Sequence, residues 1–194
     1  MCECVCMTKT LAASGALCHH KVVNYSVRSA VVHNSLIFIK KNNNPRVSRF
    51  LARQMALTLI ADDELPKLSE SDTVVCFLPR SREALLKYGH DQSALLAGEV
   101  ARELGFSCLD ALGRNRSKKV KAQKKLNAKE RAKNAKKTYV INDLVSDEIN
   151  GKKVILVDDI VTTGASAAAC VSLLIRAGAA AVIVLSVAST EGGK

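Results

Sequence analysis

Residues 154–166 read Val-Ile-Leu-Val-Asp-Asp-Ile-Val-Thr-Thr-Gly-Ala-Ser: four apolar residues, two adjacent carboxylates, then a hydroxyl-rich turn around one glycine. The apolar run shows no polar alternation, which predicts a strand covered on both faces, as in a parallel sheet. Asp158 and Asp159 then fall at its carboxyl end, the edge of an open α/β sheet where ligands bind. Behind the turn, residues 165–177 are rich in Ala and Leu and are followed by Gly178, so a helix is expected to begin near Ala165. Its unpaired N–H groups and dipole would attract an anion, most commonly a phosphate. Gly164 permits a positive φ or a close ligand approach. Carboxylates only accept hydrogen bonds and suit a vicinal diol, whereas the N–H groups and the hydroxyls of Thr162, Thr163 and Ser166 donate and suit a phosphate. A plain strand-turn-helix junction with a capping Thr would account for the secondary structure. It has no use for two acids, two hydroxyls and a glycine together.

All thirteen positions conform to a pattern that resembles the phosphoribosyl-diphosphate motif of type I phosphoribosyltransferases. The resemblance implies a three-layer α/β fold with a mainly parallel sheet. It also implies that Asp158 and Asp159 hold the ribose hydroxyls in the catalytic centre, while Thr162, Thr163, Gly164, Ala165 and Ser166 wrap the 5-phosphate. Mg²⁺ would sit near Asp158 and Asp159 through the ligand, 5-phosphoribosyl 1-diphosphate.

Further segments follow in order. Leu78-Pro79-Arg80-Ser81-Arg82 comes first, then Gly89-His90-Asp91-Gln92 before Leu95-Leu96-Ala97, then Gln123, Leu126, Arg131 and Asn134. Order and spacing resemble the ComF-type (competence protein F-like) phosphoribosyltransferases, over roughly residues 28–189. This resemblance implies a diphosphate loop at Pro79, Arg80, Ser81 and Arg82, and a flexible loop carrying Gln123, Arg131 and Asn134. The chain departs from the family pattern at His90 and Asp91, which replace Phe and Asn, and at Tyr88, where Arg is usual. Lys87 and Arg82 are the nearest basic substitutes. Independently, Arg80 and Arg82 after a strand suit charge developing on a departing diphosphate; the alternative is a solvated loop.

Charge is segregated. The formal balance is +11, and residues 114–137 hold twelve Lys or Arg against the single acid Glu130, so the rest of the chain is neutral with seventeen of each sign. A neutral globule with one basic element is therefore expected, not a generally basic coat protein. The basic element reads as a lid over an anionic ligand, as a patch on nucleic acid, or as a solvated helix face. The ComF-type resemblance gives the second reading its form: a non-catalytic accessory of competence or DNA uptake, whose affinity would fall steeply with salt. With no aromatic before Tyr139, stacking on single strands is disfavoured.

The secondary-structure expectations are a strand at 31–39, an amphipathic helix at 46–61, a short strand at 74–78 and a helix at 91–104 closed by Gly105. A strand at 139–141 and a last buried strand at 182–187 complete the set. Strands alternating with helices imply a largely parallel sheet with right-handed crossovers. Residues 1–27 are expected to form a small N-terminal extension to a domain at 28–194. Within it, Cys2, Cys4, Cys6 and Cys18, with His19 and His20, offer thiolate and imidazole ligands for zinc; the alternative is a degenerate remnant, because the paired Cys-x-x-Cys of many ComF-type proteins is missing. The longest apolar run, at 179–188, falls short of the roughly 20 residues a membrane span needs. Seven cysteines, an odd number, and the lack of a secretory leader pattern predict a reduced cytoplasmic protein. Nothing in the sequence names the acceptor.

Overall fold

The computed structural model describes residues 9–24, 44–115 and 138–189. A short helix α1 (Lys9–Ala12) leads into strand β1 (Cys18–Asn24) and helix α2 (Pro45–Ile60). Then come β2 (Thr73–Phe77), α3 (Arg82–Tyr88), α4 (Gln92–Leu104), β3 (Ser107–Leu109) and β4 (Leu112–Arg114). The chain ends through β5 (Tyr139–Ile141), β6 (Lys153–Val161), α5 (Ala165–Arg176) and β7 (Ala181–Ser189). Five strands form one sheet in the order β1-β7-β6-β2-β3, every neighbouring pair parallel, while β4 and β5 form a separate antiparallel ribbon.

Alternation within the strands builds the layers. Val154 and Leu156 of β6, Val74 and Cys76 of β2, and Val182 and Val184 of β7 pack with α5 on one face. Ile155, Val157, Val75, Ile183 and Leu185 pack on the other against Ala52, Met55 and Leu59 of α2 and Leu96, Ala97 and Val100 of α4. Every one of these strand residues is 7% exposed or less, which explains why the strands read as continuous apolar runs. The expected three-layer α/β architecture is the one observed.

Helix boundaries follow local chemistry. The side chain of Asn44 caps α2 by accepting from Arg46 N, with Pro45 in the first turn, where its missing N–H has no consequence. Asp91 caps α4, and Gly105 ends it at φ 73°. The expected helices at 46–61 and 91–104 therefore stand within a residue at each end.

Three differences are informative. The strand expected to finish at the acids instead runs on past Asp158 and Asp159 to Val161, because its pairing with β7 continues to Val161↔Ser189. On its other side β2 stops earlier, its last partner pair being Phe77↔Val157. Part of the stretch expected to be an extension, Cys18–Asn24, is an edge strand of the main sheet, hydrogen-bonded in parallel to β7. The strand expected at 31–39 lies outside the described residues.

Two glycines test the backbone in opposite senses. Gly178 has φ 95°, and a Cβ there would run into the Asn150 side chain, so Gly178→Ala is expected to destabilise by about 1–2 kcal/mol. Gly98 sits exposed inside α4 with open space around it, and Gly98→Ala should stabilise by about 0.5–1 kcal/mol. Urea unfolding of the two variants checks both signs.

Candidate functional site

Position in the sheet creates the site. The loop after β2 leads to α4 on one face, and the turn after β6 leads to α5 on the other. The chain thus diverges between two adjacent parallel strands, the crevice where open α/β sheets bind ligands. Because β2 ends opposite Val157, Asp158 and Asp159 project beyond it into this gap. A cavity of about 340 Å³ opens there.

Its lining joins three segments. From β6 and α5 come Asp158, Asp159 and Ser166; from the post-β2 loop come Leu78, Pro79, Arg80 and Ser81; from the ribbon come Arg114 and Tyr139. Ala84, Tyr88 and Ser93 complete it. Asp158 is 8% exposed; its Oδ1 accepts from Asp159 N at 2.8 Å and from the Ser93 hydroxyl at 3.4 Å. Asp159 is half-buried, and its Oδ1 accepts from Ile160 N at 2.7 Å. Each carboxylate therefore accepts from the backbone N–H of the residue that follows it, which orients it at the cavity wall.

Gly164 adopts φ 71° at the start of α5, a left-handed conformation suited to glycine. It exposes the first N–H groups of a 12-residue helix. Thr163 Oγ1 accepts from Ala165 N at 3.5 Å, and both Thr162 and Thr163 are exposed. Of the turn, Ser166 alone reaches the cavity lining; Thr162, Thr163, Gly164 and Ala165 flank it.

The loop after β2 is strapped to the start of α4. Asp91 accepts from Arg80 N at 2.8 Å through Oδ2, and from Ser93 N at 3.0 Å and Ala94 N at 3.3 Å through Oδ1. The Arg80 guanidinium donates to the His90 carbonyl at 3.1 Å and lies over the Tyr88 ring at 4.9 Å. Tyr88 serves as the platform for a neighbouring arginine. Ser81 caps α3 through Ala84 N, whereas Arg82 begins α3, is exposed and does not line the cavity. Asp91→Ala removes an acceptor from three N–H groups. It should cost about 1–2 kcal/mol of stability in denaturant titration.

Electrostatics set the protonation of one lining group. Burial pushes the Tyr139 phenol up to about 12; Cys170 and Asp158 add to this, against Arg114 and a hydrogen bond with Ser166. The phenol is therefore neutral across physiological pH.

Of the residues singled out from the sequence, the structure brings Asp158, Asp159, Ser166, Pro79, Arg80 and Ser81 together around one cavity. Gln123, Arg131 and Asn134, and likewise Cys2, Cys4 and Cys6, lie outside the described residues. Cys18 is 1% exposed and packed in the apolar cluster beneath α2. Sequence reasoning missed Ser93, Arg114 and Tyr139 as lining residues. The one signal for them was that Arg114 and Tyr139 bracket the basic segment.

Among the described residues, no three acidic, His or Cys side chains converge to cage a metal. A cation beside Asp158 and Asp159 would complete its oxygen shell from substrate and water, the habit of Mg²⁺. No helix among the described residues is long and apolar enough to cross a membrane.

The family model for the phosphoribosyl transferase domain matches residues 90–193. Fifteen chains of solved structures match. One is an allosteric regulatory enzyme of purine biosynthesis, 20% identical, with a TM-score of 0.47 over 78% of this chain and 30% of that one. Another is a protein from Thermus thermophilus, 19% identical, with a TM-score of 0.38 over 76% of this chain and 84% of that one. None of the curated proteins matches.

Proposed function

The chain belongs to the phosphoribosyl transferase domain family, and on that premise we propose that it binds 5-phosphoribosyl 1-diphosphate with Mg²⁺ and transfers the phosphoribosyl group to an acceptor. Diphosphate leaves with the electron pair of the sugar C1–O bond, and the acceptor's nucleophile forms the new bond at C1. As in glycoside cleavage, the transition state carries positive charge on the sugar ring.

Each wall of the cavity then has a task. Asp158 and Asp159 accept hydrogen bonds from the 2- and 3-hydroxyls and stabilise the developing cation. The turn of Thr162, Thr163, Gly164, Ala165 and Ser166 holds the 5-phosphate with N–H groups and hydroxyls at the N-terminus of α5. Pro79, Arg80 and Ser81 meet the diphosphate, with Arg80 pre-oriented by His90 and Tyr88. Mg²⁺, when bound, neutralises charge on the diphosphate oxygens.

The single observation that carries the reading is the convergence of the acid pair, Ser166 and Arg80 on one cavity at the switch between β6 and β2. Membership of the ComF-type branch, with Gln123, Arg131 and Asn134 on a flexible loop, is the finer part of the proposal and rests on motif order. A reduced cytoplasmic setting is also part of the proposal and rests on the odd number of cysteines, with which the free thiols Cys76, Cys108 and Cys170 agree. Use of residues 114–137 on DNA rests on their charge and on the ComF-type resemblance.

The test is diphosphate release when the protein is incubated with Mg²⁺, 5-phosphoribosyl 1-diphosphate and a panel of nucleobases and amines. Release that depends on one acceptor is expected. Neither binding of the sugar diphosphate nor release with any acceptor would overturn the assignment.

A further inference from the structure

Arg114 and Tyr139 line the cavity and have no part in the roles above. They face each other across the open end of the β4–β5 ribbon as a directly opposed pair. The guanidinium lies over the Tyr139 ring at 5.0 Å, and its Nη1 donates to the Tyr139 hydroxyl at 3.2 Å. The same nitrogen donates to the Pro79 carbonyl at 3.5 Å. Asn115 N, donating to Thr138 O at 2.7 Å, closes the ribbon just beyond the pair. Tyr139 packs in the same apolar cluster as Ala167, Ala169 and Cys170 of α5, and it lines the cavity together with Ser166, in the first turn of that helix. Tyrosine is thus a stacking platform for the arginine, set beside the start of α5.

Two facts assign the arginine an end of the substrate. Its hydrogen bonds to described residues all leave from Nη1, so Nε and Nη2 remain as donors in the fork geometry that matches a phosphate. Residues 162–166 contain no basic side chain, so a phosphate in their turn has no countercharge of its own. Arg80 is tied to His90 and Tyr88 beside the post-β2 loop, whereas Arg114, which also donates to Pro79 O, rests over the ring of Tyr139, packed against the start of α5.

We propose that Arg114 contacts the sugar 5-phosphate held by residues 162–166, and that Tyr139 positions it there. This rests on the phosphoribosyl reading of the same cavity and adds a cation to a subsite otherwise built from N–H groups and hydroxyls. Tyr139 acts through Arg114, as ring platform and acceptor, and needs no charge of its own.

Calorimetric titration of the full chain with two probes tests the assignment: ribose 5-phosphate carries only the sugar phosphate, and inorganic diphosphate with Mg²⁺ only the other end. Arg114→Ala is expected to weaken ribose 5-phosphate about tenfold or more and to leave diphosphate within about twofold. Arg114→Lys, which keeps the charge and loses the fork, should recover part of that loss. Tyr139→Phe keeps the ring and should weaken ribose 5-phosphate about threefold, with diphosphate again unchanged. A merely structural pair would move both probes together. That outcome, or an unchanged ribose 5-phosphate affinity in Arg114→Ala, overturns the assignment and leaves the function proposal standing. If the wild-type protein binds neither probe, both fall.

Discussion

Replacing Asp158 and Asp159 together by Asn is expected to weaken Mg²⁺-dependent binding of 5-phosphoribosyl 1-diphosphate at least tenfold, or about 1.4 kcal/mol. The change is nearly isosteric. An Asn at 158 retains a side-chain oxygen to accept from Asp159 N and Ser93, as the carboxylate does at 2.8 and 3.4 Å. What disappears is the negative charge, and with it the strong acceptor pair for a ribose diol and the electrostatic attraction of a metal-bound ligand. Stability should hold or rise slightly, since Asp158 is 8% exposed and a buried carboxylate has a desolvation cost. Binding and folding are therefore predicted to separate: affinity falls by calorimetry while the thermal midpoint stays within about 2 °C. Equal loss of both would point to a structural role for the acids.

Leu156→Ala is expected to have the opposite signature, losing stability first. Leu156 is completely buried two residues before Asp158, paired with Cys76 of β2 and Val184 of β7, and it packs in the cluster under α5. Both neighbouring strands fix its surroundings, so the hole left by the truncation cannot collapse. A loss of about 2–5 kcal/mol follows, lowering the thermal midpoint by roughly 5–15 °C for a chain of this size. Leu144→Ala, at a residue 91% exposed, should stay within about 0.5 kcal/mol and serves as the control. A loss under about 1 kcal/mol for Leu156→Ala would contradict a tightly packed central strand.

How much of this was legible varied with the range of the interaction. The strand-turn-helix at residues 154–166, the Asp91 cap and the stop at Gly105 are local, and periodicity with capping chemistry exposes them. The far end of β6 was not local. Whether it stopped at Val157 or ran to Val161 depended on β7, which lies beyond α5 and keeps pairing to Ser189. Strand β1 hid behind a His-rich sequence, Cys-His-His-Lys-Val-Val-Asn, whose His19 is fully buried and accommodated by a hydrogen bond with Ser186 of β7. Helix α3 buries no residue, so no apolar stripe announced it. Within the site, the two acids and the hydroxyl-rich turn are contiguous and readable. Arg114 and Tyr139 are 25 positions apart and meet only because the ribbon opposes them. Tyr88 reads in the sequence as a lost basic residue, and only the fold shows its ring beneath Arg80.

Titration of the wild-type protein with 5-phosphoribosyl 1-diphosphate, with and without Mg²⁺, tests the central claim most directly. Saturable one-to-one binding that strengthens with Mg²⁺ and is abolished or weakened at least tenfold by the paired Asp158→Asn and Asp159→Asn substitutions is the predicted result. No binding at millimolar ligand, or binding indifferent to both Mg²⁺ and the acid pair, would contradict it.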